Sequence, residues 1–296
     1  MAHDDNPREQ EPLAPGLYLV ATPIGNLEDI TFRALRVLKS VDRIACEDTR
    51  QTQKLLNYYG ITTPTVSLHE HNEAGRTSEL IADLLGGERI AVVSDAGTPA
   101  ISDPGMFLTR AAIKAEIPVF PVPGANAALS ALVASGLDTE RFLFVGFLPP
   151  KTSARRSDLE KLRAGLNQAS TLVFYEAPHR ILEALEDVER VWGTACSVVV
   201  ARELTKLHEE FLRGTVAEVR GQLAGRDRIR GEIVLLVDAH PSAATGPAVV
   251  SVQARIAELK EAEGLDEMDA LKRIARERGI SKSEAYRELQ RERSRR

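Results

Sequence analysis

The sequence lacks the features that mark several protein classes at a glance. It holds two cysteines, Cys46 and Cys196, with no CxxC and no histidine pair at zinc spacing, which excludes a disulfide scaffold and offers no metal site. No apolar run reaches the roughly 18–20 residues that a membrane-spanning helix needs. The opening MAHDDNPREQEPLAPG is polar and acidic, without an apolar signal segment, so a cytoplasmic location and no membrane association are expected. Neither a GxGxxG after the first strand nor a GxxxxGK[ST] occurs, which removes the phosphates of a dinucleotide or nucleoside triphosphate as the obvious ligand. There is no internal repeat or low-complexity tract.

What is present is an ordinary globular composition, 43% hydrophobic and 27% charged, which excludes a disordered or collagen-like chain. The net charge of -5 is unevenly spread, because residues 272–296 carry +6 and leave -11 on residues 1–271. That asymmetry fits an acidic catalytic body with a basic appendage for a polyanion, and equally a solvated helix face.

From Gly16 to about Gly136, β-rich runs (LYLVAT, RIACE, PTVSLHE, RIAVVSD, VFPVPG) alternate with helix-like segments, which predicts a mostly parallel α/β domain over 16–137. After it, RFLFVGFLP, STLVFYEAP, ACSVVVARELTK, EEFLRGT and GEIVLLVDA follow with fewer helices, predicting a second, mixed α+β domain over 138–239 with antiparallel pairs. Residues 1–15 read as a disordered tail and HPSAATGPAV at 240–249 as a linker. Residues 250–296 read as a helical domain: Leu271, Ile274 and Ala275 precede a Gly279-Ile280-Ser281 turn, and Ala285, Tyr286 and Leu289 follow. The pattern resembles a helix-turn-helix and fits a plain helical hairpin as well.

Three loops stand at the carboxyl ends of predicted parallel strands, TPIGN at 22–26, SDAGTP at 94–99 and PVPGAN at 121–126, where open α/β sheets place their ligands. Glycine lets a ligand approach the main chain and proline keeps the loop aimed. Rigid backbone loops with one carboxylate, Asp95, suit a zwitterionic or cationic small molecule bearing hydroxyls or an amine.

The runs LYLVATPIGNLEDITFRALRVLKSVDRIACEDTRQTQKLL, SLHEHNE, VVSDAGTPAISDPG, VPGANAALSALVASGL, FLPPK, FYEAPHRI, ARELTKLHEEFLRGT and GEIVLLV resemble the family of small-subunit ribosomal RNA methyltransferases I, a branch of the tetrapyrrole-methylase (class III methyltransferase) superfamily. The resemblance spans about Gly16 to Val237. It implies the two-domain fold of that superfamily with a small helical C-terminal appendage. The activity it implies is S-adenosyl-L-methionine-dependent 2′-O-methylation of a cytidine in the decoding region of 16S rRNA. It further implies the cofactor in the cleft between the domains, 16S rRNA or the 30S ribosomal subunit as partner, and a homodimer. TPIGN and SDAGTP depart from the VGAGPGD and GDP loops of the porphyrinoid enzymes, which favours the rRNA branch over those and over the diphthamide-forming relatives.

For cofactor contacts the resemblance points to Pro23, Asp95, Gly97, Thr98 and Pro99 in the loops, with Ile101, Ala127, Tyr175 and Glu176. A sulfonium methyl is already activated, so the protein has to align nucleophile, methyl and leaving sulfur. A ribose hydroxyl is a weak acid, so a proton acceptor nearby would help, and no metal is needed. Glu47, Arg50 and His179 are the candidates for that chemistry, from Glu47-Asp48-Thr49-Arg50 and His179-Arg180, with His69-Glu70-His71-Asn72 beside them. His69 and His71 would face opposite sides of a strand and make no metal pair. Lys151, Arg155, Arg156, Arg202 and Lys206 are candidates to meet the rRNA backbone. Two other readings stay open: a methyltransferase for a small molecule or protein side chain, and a ligand-sensing nucleic-acid-binding regulator.

Overall fold

The computed structural model of the chain describes residues 12–69, 72–241, 252–278 and 282–294. Outside them lie most of the N-terminal tail, the linker beyond Pro241, Glu70 and His71, and the Gly279-Ile280-Ser281 turn. The chain divides into two compact units, Met1–His240 and Pro241–Arg296.

In the first unit, β1 (Gly16–Val20), β2 (Arg43–Cys46), β3 (Thr65–Ser67), β4 (Arg89–Val93) and β5 (Val119–Val122) form one sheet in the order β3-β2-β4-β1-β5. Every pairing in it is parallel. A parallel sheet needs cover on both faces, and the strands supply it by alternation. Tyr18, Val20, Ala91 and Val93 pack with Ala34, Val37 and Leu38 of α1 (Phe32–Ser40) and Leu56 of α2 (Thr49–Tyr58). Leu17, Ile90 and Val92 pack with Leu80 and Leu84 of α3 (Glu73–Leu85) and Leu108 and Ala112 of α4 (Met106–Lys114). The body starts before Gly16, because Leu13 joins the first of these cores and the Tyr18 hydroxyl donates to the Ala14 carbonyl at 2.6 Å.

The second sheet runs β6-β7-β10-β8-β9, from β6 (Phe142–Phe147), β7 (Ser170–Glu176), β8 (Ser197–Arg202), β9 (Glu210–Thr215) and β10 (Ile233–Ala239). It is mixed: β6 pairs with β7 in parallel and the other neighbours are antiparallel. Its two faces again follow the period of two. Leu172, Phe174, Val198, Val200, Leu235 and Val237 meet Leu159 of α6 (Thr152–Gly165), Leu185 of α7 (Ile181–Trp192) and Val219 of α8 (Val216–Ala224). The opposite face, with Val173, Val199, Ala201, Val234 and Leu236, packs on Ala128, Ala131 and Leu132 of α5 (Ala127–Ser135) and on Ile24 from the loop after β1. Helix α5 follows the last strand of the first sheet yet covers the second, so one apolar core joins the two sheets and fixes the loops above them.

The second unit is three helices, α9 (Val252–Glu263), α10 (Glu267–Arg278) and α11 (Lys282–Ser294), around Val252, Ile256, Leu259, Leu271, Ile274, Ala285 and Leu289. Tyr286, expected on the apolar face, is 46% exposed. No helix among the described residues is long and apolar enough to cross a membrane.

Candidate active site

The three Gly/Pro loops are knitted together by their backbones. Thr22 and Gly97 exchange both main-chain hydrogen bonds, at 2.9 and 3.1 Å, tying the loop after β1 to the loop after β4. The Thr98 hydroxyl donates to the Ala125 carbonyl at 3.2 Å, and the Asn126 amide donates to that hydroxyl at 3.4 Å, which adds the loop after β5. Asn126 also caps α5 by accepting the Leu129 N–H. From the second sheet, the Thr205 hydroxyl accepts the Asn26 N–H at 3.0 Å.

Between these loops and the face of the second sheet lies a cleft of about 370 Å³, within the usual size of a small-molecule site. Ile24, Leu204, Ile233 and Val234 give it an apolar wall, and Ser102, Asp103, Glu176 and Glu232 supply polar groups. Tyr175 is held edge-on between Phe144 and Phe147, and burial raises its phenol pKa above the usual value.

The cleft gathers much of the set expected from sequence. Gly97, Thr98, Ile101, Ala127, Tyr175 and Glu176 line it. Pro23 and Pro99 are buried within their own loops, and Asp95 is exposed beside it, accepting the Asp48 N–H at 3.3 Å. Burial, with Asp48 adding to it against that hydrogen bond, raises the Asp95 carboxyl above the ordinary range. Glu176 is 3% exposed and pairs with Arg180 at 2.6 Å through Oε1, while its buried Oε2 has no hydrogen-bond partner among the described residues. An acceptor placed so in a cleft wall can take a hydrogen bond from a water or a ligand.

The candidates for proton chemistry separate. Glu47 follows β2 and its charge acts on Asp103. Arg50 has a side chain 94% exposed, 4.0 Å from Asp48. His179 is exposed, and the cleft wall instead takes its neighbours Ala177 and Pro178.

Among the basic residues, Arg155 is a correction. It is 1% exposed and donates to Asp187, itself 1% exposed, at 2.7 Å, so it holds α6 to α7 and has no face to offer a phosphate. Arg156 shares Asp187 from the other side. Arg202 and Arg226 clamp Glu210, whose carboxyl they hold down to about 2 against the cost of burial. Lys206 bonds to Glu203 and Glu232 at 2.8 and 2.9 Å. Lys151 is exposed at the start of α6.

Asp103 escaped the sequence reading, because Asp-Pro-Gly reads as a turn. It lies in a stretch, Gly97 to Gly105, in which Ala100 (φ 65) and Ser102 (φ 61) occupy the left-handed region. Such strain in non-glycine residues concentrates at functional sites. The stretch is closed by the Ala100 N–H to the Pro104 carbonyl at 3.2 Å. Burial, then the charge of Glu47, push the Asp103 carboxyl up to about 6, with a Ser94 hydrogen bond opposing and Asp95 adding.

The sequence profile of the tetrapyrrole (corrin/porphyrin) methylases matches residues 16–220. A ribosomal RNA small subunit methyltransferase I of Halalkalibacterium halodurans is 49% identical over 275 residues, 91% of this chain and 93% of that protein. One of Synechocystis is 54% identical over 200 residues, 68% of this chain and 71% of that protein. In fold the chain is similar to uroporphyrin-III-C-methyltransferase from Thermus thermophilus, with a TM-score of 0.52 at 22% identity over 75% of this chain and 94% of that one. The chain belongs to the tetrapyrrole methylase family and, within it, to the ribosomal RNA small subunit methyltransferase I group.

Proposed function

We propose that this protein transfers the methyl group of S-adenosyl-L-methionine to the ribose 2′-hydroxyl of a cytidine in the decoding region of 16S rRNA, with 16S rRNA or the 30S subunit as substrate. The observation that carries the reading is about 50% identity to rRNA small subunit methyltransferases I over most of the chain, joined to a cleft whose donor set suits that cofactor. The apolar wall of Ile24, Leu204, Ile233 and Val234 suits an adenine ring, and the orphan Glu176 Oε2 suits a hydroxyl or an ammonium. When bound, the cofactor supplies the activated methyl; the protein's part is to bind, orient and exclude water.

In this reading Gly97, Thr98, Ile101, Ala127, Tyr175 and Glu176 contact the cofactor, while Pro23, Asp95 and Pro99 shape the loops around it. Arg50, His179 and Lys151, all exposed, meet RNA, and Arg156, Arg202 and Lys206 do so only by giving up an acidic partner. A cytoplasmic location follows from the rRNA substrate. A homodimer belongs to the same reading, supported by the exposed Phe107, Ile113 and Val133 on α4 and α5; light scattering of the purified protein tests it.

The test of the activity is transfer of labelled methyl to 30S subunits, to naked 16S rRNA and to a protein-only control. Label in 16S rRNA, free or within 30S subunits, at a ribose whose 3′ linkage resists alkaline cleavage, is expected. Cofactor binding without label in any RNA would turn the search to small molecules or proteins. Absence of cofactor binding would remove the methyltransferase reading altogether.

A further inference from the structure

Three carboxylates line the cleft, and two of them are already committed. Glu176 pairs with Arg180 and also accepts the Ala177 N–H at 2.7 Å; Glu232 pairs with Lys206. Asp103 has no ion pair among the described residues. The groups acting on it are Glu47 from the loop after β2, Asp95 and Ser94 from the loop after β4 and, across the cleft, Tyr175 of β7. The loop that carries it is anchored at its far end, where the Glu73 carboxylate accepts the N–H groups of Gly105 and Phe107 at 2.9 and 3.1 Å, and it is closed by the Ala100–Pro104 hydrogen bond. A strained, doubly anchored loop thus presents to the cleft a carboxylate that has no ion pair among the described residues.

We infer that Asp103 is the catalytic residue that takes the proton of the attacking hydroxyl, an assignment that rests on the methyl-transfer reading above. As the hydroxyl oxygen bonds to the methyl carbon, the carbon–sulfur bond breaks with its electron pair kept by sulfur, and the O–H proton passes to a carboxylate oxygen of Asp103. Glu47, one of the three sequence candidates for proton chemistry, becomes a positioning charge: burial first, and then its negative field, push the Asp103 carboxyl up to about 6. A base is most effective when its pKa lies near the operating pH. At neutral pH Asp103 is therefore ionised yet more basic than an exposed aspartate.

The test compares wild type, Asp103→Asn and Glu47→Gln. Its readouts are cofactor binding by calorimetry, methyl transfer to 30S subunits against pH, and carbon-13 titration of the Asp103 carboxyl in the cofactor-free protein. Asp103→Asn is expected to bind cofactor within about threefold of wild type while kcat falls roughly 10²–10⁴-fold, the usual contribution of a general base. The wild-type carboxyl is expected to titrate near 6, with the acid limb of kcat/KM following it, and both to move lower in Glu47→Gln. An Asp103→Asn enzyme keeping more than about a tenth of wild-type kcat, well short of a base's usual share, would overturn the assignment. So would a carboxyl titrating in the ordinary aspartate range, a measurement on wild type that stands even where the variant misfolds. If wild type itself labels no RNA, the function reading falls and the assignment with it; if wild type labels RNA and Asp103→Asn does so equally, only the assignment falls.

Discussion

Glu73, at the first turn of α3, is bonded to the backbone of Gly105 at the start of α4: its Oε1 accepts that N–H at 2.9 Å, and the Phe107 N–H at 3.1 Å. The side chain is 5% exposed, and the two amides it satisfies belong to a helix start that has no side-chain cap of its own. A carboxylate at a helix N-terminus gains both from charge-assisted hydrogen bonds and from the helix dipole.

Removing that carboxylate should loosen the loop that carries Asp103. Glu73→Ala strands two N–H groups and is expected to cost about 2–4 kcal/mol. Glu73→Gln, which keeps an acceptor oxygen, is expected to cost less than half as much. Urea denaturation gives the energies, and amide exchange at Gly105 and Phe107 should accelerate in Glu73→Ala well before global unfolding. Equal stability of Glu73→Ala and wild type would show that water replaces the carboxylate at no cost.

The Arg155–Asp187 pair allows a sharper stability prediction. Both side chains are 1% exposed, so removing Asp187 leaves the buried guanidinium with only the more exposed Glu183 at 3.1 Å, a loss set against the roughly 3–5 kcal/mol that breaking a buried pair typically costs. Asp187→Ala should therefore unfold early in denaturant. Replacing both by apolar groups, Arg155→Met with Asp187→Leu, should recover most of that loss. The double variant should also bind 30S subunits as wild type does, because the guanidinium is inside the fold. A large loss of binding in a well-folded double variant would return Arg155 to the RNA surface.

Gly97 tests the cleft from the backbone side. Its φ is 85°, and a Cβ there would sit 3.2 Å from Ile24 Cγ2, so alanine meets both left-handed strain and a wall of the cleft. Gly97→Ala should lose about 1–2 kcal/mol of stability and bind S-adenosylmethionine at least tenfold more weakly, measured by calorimetry. Undiminished affinity would place the cofactor away from this loop.

The strands were legible because their alternation is dictated by burial. Parallel strands covered on both faces leave continuous apolar runs such as RIAVV of β4; PTVSLHE and ACSVVVARELTK instead ran past the ends of β3 and β8, into the loops that follow them. The loops were legible as a ligand site because glycine and proline there serve no helix or strand. Arg155 was misread for a physical reason: in sequence it is one basic residue in a polar helix, and its burial depends on Asp187, 32 positions away. Asp103 was passed over likewise, since local turn chemistry accounts for Asp-Pro-Gly. What distinguishes it is the carboxylate of Glu47 and the anchoring by Glu73, both supplied by other elements. The side of α5 that faces the second sheet was hidden as well, because a helix apolar nearly all round, AALSALVAS, does not say which sheet it covers.

The last prediction sets the stability of the protein against its activity. The Asp103 carboxyl is raised in the fold from an ordinary 3.8 to about 6, so between those values the folded protein binds more protons than the unfolded chain. Its unfolding free energy should then fall as pH rises through that window. The favourable contribution is present below about pH 4 and lost above about pH 6, costing about 1 kcal/mol once discounted for partial solvent access. Asparagine cannot ionise, so Asp103→Asn should match wild type in stability at pH 4 and exceed it by that amount at pH 8, read from urea midpoints at the two values. The same substitution should abolish most methyl transfer. Destabilisation of Asp103→Asn at pH 8 would mean that the ionised carboxylate is satisfied by the fold, and that its proton affinity is not held in reserve for a substrate.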